Sequence, residues 1–231
     1  MAILVGILIP TLSGARAEAT AISRLATMRM LHQGLGAYAE DSAGAFLFLA
    51  TPGAPERWLT AWGRIYPSGD YFGGQSRYWP TLLWPSYIAD TGEDRYSSRA
   101  RPAPGPYPPT DSAGHAMQLV QTLFRLTSTA FAHSAYWDGD APPTSLELLR
   151  GTRHADIKHP GSKGILLDVG TWEFDGDQAN PTGMLSIAAG DGSASRHRLA
   201  LVDPAWVVER PFGATPWRVI ATRGGLAGRD Y

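Results

Sequence analysis

Residues Ala2 to Ile9 read AILVGILI, an apolar run without one polar side chain. The residues beyond it constrain the fold as much as the run itself. After Pro10, Thr11 and Leu12, the residues Ile22, Leu25, Met28, Leu31, Leu35 and Tyr38 recur at steps of three or four. That is the period of an amphipathic helix. Arg16, Glu18, Arg24 and Arg29 fill much of the rest, and no strong breaker stands between Thr11 and Gly34. The spacing predicts a single helix over about residues 2 to 40, about 60 Å long at ~1.5 Å per residue. Pro10 should bend it, because proline removes one amide donor and crowds the preceding turn. The amphipathic half should lean on the rest of the chain through Ile22, Leu25, Met28 and Leu35.

A helix with one half wholly apolar and one half amphipathic suits a spine that runs from membrane to water. The apolar run alone is too short to cross a bilayer, which takes roughly 20 apolar residues. Read as a signal peptide, it lacks a preceding basic residue, and Ser13-Gly14-Ala15 is only a weak cleavage site. Read as a buried core helix, its length is ordinary.

Composition bounds the remainder. With 44% hydrophobic and 18% charged residues, the 231-residue chain can bury a core. A net charge of −1 argues against a non-specific nucleic-acid binder. The absence of cysteine excludes disulfides, thiolate metal sites and cysteine nucleophiles.

From Thr51 to Pro109 the composition shifts. Trp58, Trp62, Trp79 and Trp84, half of the eight tryptophans, lie here with six of the nine tyrosines. Such rings either pack a loop-rich segment onto the body or line a sugar- or peptide-binding surface. The proline-rich stretch RPAPGPYPP reads as an extended connector. Asp111-Ser112 offers an N-cap for a helix over His115 to His133, with Met117, Val120, Leu123, Phe124, Thr127 and Phe131 on one side. Ser145 to Arg150 reads as a short helical turn. The rest turns β-like. Gly164 to Val169 is a buried-strand candidate, Met184 to Ala189 and Ser193 to Val202 flank a tight turn at Gly190-Asp191-Gly192, and Trp217 to Thr222 is a further strand.

The stretch Ala2 to Phe46 resembles the prepilin-type N-terminal domain of type IV pilin-like proteins and type II secretion pseudopilins. The likeness is greatest to the large pseudopilin group of planctomycete-type bacteria. It is carried by Pro10, Leu12, Ser13, Ala15, Arg16, Leu35, Gly36, Tyr38, Ala39 and Asp41, and by the terminal TRGGLAGRDY. The family's processing motif, Gly followed by Phe-Thr-Leu-Ile-Glu, is absent, so the resemblance implies that Met1 falls inside the family's apolar helix. The cysteines often found in the family's head are absent too. Pro181 stands where the family commonly has a histidine, ten positions before Asp191-Gly192.

The resemblance implies a structural subunit of a cell-envelope filament or a type II secretion-like system, not an enzyme. It implies a seat in the bacterial inner membrane, with the head in the periplasm or outside the cell. Other pilin-like subunits, of the same or another kind, would be its partners, with no nucleic acid. Ile3, Leu4, Val5, Ile7, Leu8, Ile9, Pro10 and Leu12 would form the membrane and assembly surface. The alternative is an envelope carbohydrate- or peptide-binding module using segment 58–107, with Trp58, Trp62, Trp79 and Trp84 as the candidate ligand surface.

Candidate chemistry is sparse. No nucleophile elbow, Walker loop, dinucleotide fingerprint or HExxH motif occurs. His154, Asp156 and His159 are the most metal-like cluster and the one place for a metal-assisted hydrolase, though their spacing matches no zinc pattern. Asp175 and Asp177, with Glu173, alternate in a glycine-containing loop that can offer hard oxygen ligands. Calcium in a C-terminal loop is known among major pseudopilins, so the resemblance favours calcium there, and less so at Asp138 and Asp140. No other cofactor is expected.

The expectation is an α+β fold. Residues 1–41 form a long helical spine, and 42–231 form a globular head with an antiparallel β-sheet and a loop-rich aromatic insertion.

Overall fold

A computed structural model describes residues 2–48, 72, 75–76, 79–83, 86–88, 124–138, 146–168, 183–203 and 222–231; for residues 2–11 it describes the backbone alone. The first element is one continuous helix, α1 (Ala2–Asp41). It ends in the manner of a glycine-stopped helix. Ala43 and Gly44 take positive φ values of 53° and 80°, and the Gly44 amide returns to the Ala39 carbonyl at 2.7 Å. The chain then pairs with residues 152–154. The Phe46 amide donates to the Thr152 carbonyl and the His154 amide to the Gly44 carbonyl, both at 2.9 Å.

Four strands form an antiparallel meander in chain order: β1 (Phe124–Leu126), β2 (Gly164–Asp168), β3 (Met184–Ala189) and β4 (Ala194–Arg198). The continuous apolar run of β2 is buried along its whole length, which accounts for its lack of alternation. The β3–β4 connection is tight, with Gly192 at φ +84°, a conformation few side chains tolerate. α1 packs against β2, β3 and β4. Met28, Leu31 and Leu35 join Leu126, Phe131, Tyr136, Trp137, Ile165, Leu166, Ala188 and Leu226 in one core. At the other end of α1's seat, Gly34 lets the 86–88 segment approach, since a Cβ there would sit 3.3 Å from the Tyr87 carbonyl oxygen. The architecture is therefore α+β, with an N-terminal helix and an antiparallel sheet.

Three expectations need correction. Ile22 does not lean on the head and is 59% exposed. Repeated steps of three drift around a 3.6-residue helix, so Ile22 ends about 180° away from Leu31. The helix expected over His115 to His133 is absent from the part described. Residues 124–126 are β1, Ser128–Phe131 is a 3₁₀ turn, and Ala135–Asp138 is a single helical turn. Burial of Phe124 and Leu126 flanking a half-buried Arg125 is a strand period that the helical spacing disguised. The strand after the tight turn is also shorter than expected, because Leu199–Leu201 coils into a 3₁₀ turn. The 3₁₀ turn at Leu146–Leu148 agrees with the reading of Ser145 to Arg150. Residues 217–221 of the proposed last strand lie outside the described residues.

Candidate functional site

The junction of α1 with the head is a ladder of polar contacts in reverse chain order. His32 faces the β3–β4 turn, with Nδ1 3.3 Å from where a Cβ on Gly192 would lie. Arg29 donates to the Ala194 carbonyl at 2.8 Å. Arg24 meets the buried Asp168 carboxylate at 3.2 Å, at the far end of β2. Glu18 meets Arg196 at 3.0 Å on the surface, an exposed pair worth little. Among the described side chains, every residue from 12 to 20 is exposed, and Leu12 is 56% exposed. The helical backbone continues from there to Ala2.

The turn end of this junction holds two imidazoles. His154 stacks on Phe46 with ring centroids 4.0 Å apart and 18° between planes. Nε2 of His32 and Nε2 of His154 are both buried without a hydrogen-bond partner. Burial holds both rings below the ordinary histidine range. Asp191 and the Gly190 backbone oppose that for His32, whereas His32 itself adds to it for His154. Asp191 is held below the usual carboxylate range, first by the Ser193 hydroxyl at 2.7 Å and then by the Ser193 amide at 2.9 Å.

A second buried group ties the C-terminal segment to the sheet. Lys163 is fully buried and donates to Asp230 Oδ2 at 3.0 Å and to Thr222 Oγ1. Thr222 Oγ1 donates in turn to Asp230 Oδ1. The same Oδ2 accepts from the Gly164 amide at 2.9 Å, and the Asp230 amide donates to the Ser162 carbonyl at 2.9 Å. Burial pushes the Lys163 ammonium below its ordinary range, and Asp230 partly restores it. The composition Gly161-Ser162-Lys163-Gly164 is therefore that of a structural knot, with its lysine turned inward and committed.

The sequence-predicted site residues fare differently. His154, Asp156 and His159 do not converge. The first ring stacks on Phe46, Asp156 accepts from the Arg153 amide at 2.8 Å, and His159 Nδ1 faces Arg229 at 3.4 Å. Among the described residues, no group of three such side chains is placed to hold a metal. Trp79 is a correction to the ligand-surface reading. It is fully buried, and its Nε1 donates to the Phe124 carbonyl at 2.9 Å. With Ser76, which donates to the Leu126 carbonyl at 2.5 Å, it caps the open edge of β1. Trp58, Trp62 and Trp84, the calcium candidates Asp175 and Asp177, and Asp140 all lie outside the described residues. So do the side chains of Ile3, Leu4, Val5, Ile7, Leu8, Ile9 and Pro10.

His32, Lys163 and Asp230 were not predicted as site residues. Their roles depend on remote partners, Asp230 lying 67 positions from Lys163 and His32 facing a turn at Gly192, which leave no local pattern. Among the described residues, no helix is long and apolar enough to cross a membrane. Comparison with protein-family models, curated proteins and solved structures finds no match to this chain.

Proposed function

We propose that the chain is a structural, non-catalytic subunit of the pilin-like and pseudopilin class. In this reading its apolar segment lies in the bacterial inner membrane and packs against the helices of sister or related subunits. The head then faces the periplasm or the outside of the cell. The observation that carries the reading is the uncovered stretch of α1. Residues 12–20 are exposed on all faces, and the helix runs on to Ala2 through the apolar run.

An apolar cylinder of this kind seeks a bilayer or another helix. Full burial of a Leu or Ile side chain is worth roughly 1.5–3 kcal/mol, so Ile3, Leu4, Val5, Ile7, Leu8, Ile9 and Leu12 together offer on the order of 10 kcal/mol before ordering costs. In a membrane, close packing of such helices replaces water exclusion as the source of association. The ladder between α1 and the sheet would hold the head at a fixed angle to the spine, which repeated assembly requires.

Sedimentation of the intact chain, with and without detergent, tests the proposal. The expected result is large assemblies in plain buffer and a small micelle-bound species in detergent. Leu4→Asn with Leu8→Asn should shift the plain-buffer sample toward monomer. A clean monomer of the unmodified chain in plain buffer would overturn the reading, because the apolar segment would then have to be sheltered by the head.

A further inference from the structure

We propose that His32 and His154 form an acid-released latch: while both rings are neutral, α1 stays seated on the β3–β4 turn, and their protonation frees it. The latch does not depend on membrane assembly. His32 projects from α1 onto a turn whose Gly192 leaves it room, and Gly190 on the same turn is wedged against Ile157 and Pro160. His154 is fixed from below by the Phe46 stack and by its own amide on the Gly44 carbonyl. Swinging either ring out to water would undo those contacts.

Each ring leaves Nε2 buried and unpartnered. A neutral ring with a bare nitrogen loses one hydrogen bond to water. Both residues are half-buried, and charging either ring would place a cationic donor at that covered nitrogen, which costs more. For His32 the Asp191 carboxylate and the Gly190 backbone offset part of that cost, whereas for His154 the neighbouring His32 adds to it. Asp191 on the turn faces His32, but its Oδ1 is already committed to Ser193. Tyr231 on the C-terminal tail responds to Asp191 and stays neutral, its hydroxyl pushed up to about 12 mainly by burial. One turn earlier on α1, Arg29 spends its guanidinium on the Ala194 carbonyl. His159, past Ile157 and Lys158, faces Arg229. Charging both rings would also set two cations against each other.

Linkage gives the sign. Both rings are held below the unfolded histidine value. Their contribution is therefore intact above about pH 6.5 and is lost as pH falls from there through the lower native values. Inside that window the freed fraction rises by at most about tenfold per pH unit for each ring, and about a hundredfold for both. α1 would detach before the sheet opens, because β2 and β3 are closed by backbone ladders that do not titrate.

Amide hydrogen exchange of the intact chain at about pH 7.5 and about pH 5, corrected for intrinsic rates, tests this. The expected result is an acid loss of protection in α1 over residues 25–41, larger than in β2 and β3. In the double variant His32→Leu, His154→Phe that acid-specific loss should fall below about twofold. Equal protection of α1 at both pH values, or the same acid loss in the variant, overturns the latch. Should the variant not fold, titration of the two imidazoles by NMR in the unmodified chain decides. Both should titrate below about 6.5, and either ring titrating at or above that value overturns it.

Discussion

Among single residues, Lys163 carries the highest stakes. A fully buried ammonium is tolerable only because Asp230 and Thr222 close around it. Removing one partner of such a pair leaves an uncompensated charge, so Lys163→Met should destabilise the chain by about 3–5 kcal/mol. Chemical denaturation checks the figure. The double variant Lys163→Met, Asp230→Leu should recover part of the loss, and a single variant as stable as the parent would mean the knot is dispensable. Nothing local in the sequence marks this lysine, since its partners sit 59 and 67 positions away. The acidic stretch with Asp175 and Asp177 lies outside the described residues, and a ligand there is implied by the pseudopilin resemblance alone. There we expect calcium at about a millimolar to raise the melting temperature over a chelator control, because a ligand that prefers the native state stabilises it. An unchanged midpoint would remove Asp175 and Asp177 from consideration.

At the level of elements, legibility tracked the reach of the forces. α1 and the β3–β4 hairpin were readable because the helical period and the Gly-Asp-Gly turn are set by neighbours a few positions apart. β1 was misread because Phe124, Thr127 and Phe131 fit a helical spacing while belonging to a strand, its following residue and a 3₁₀ turn. Its strand state depends on pairing with β2 and on edge caps from Ser76 and Trp79, all remote in sequence. The seat of α1 gives a direct test of the corrected face. Leu31→Ala should cost about 2–5 kcal/mol, the usual range for emptying a buried leucine site. Ile22→Ala should stay within about 0.5 kcal/mol, as surface changes do. Comparable losses from the two, measured by denaturant midpoints at constant slope, would mean that Ile22 is covered in solution.

For the whole molecule, the sheet is a local affair and the helix is not. Consecutive strands pair as they are made, whereas the ladder joining α1 to the sheet spans 144 positions at Arg24–Asp168 and 178 at Arg196–Glu18. Synthesis at about 5–20 residues per second therefore leaves roughly 7–30 s between the making of Arg24 and the making of Asp168. During that interval Met28, Leu31 and Leu35 have no sheet to cover them. The nascent chain must hand that face to a chaperone or a membrane surface, or risk sticking to a neighbour on the same message. With contacts this far apart in sequence, exposure of that apolar face begins during translation, before the sheet exists.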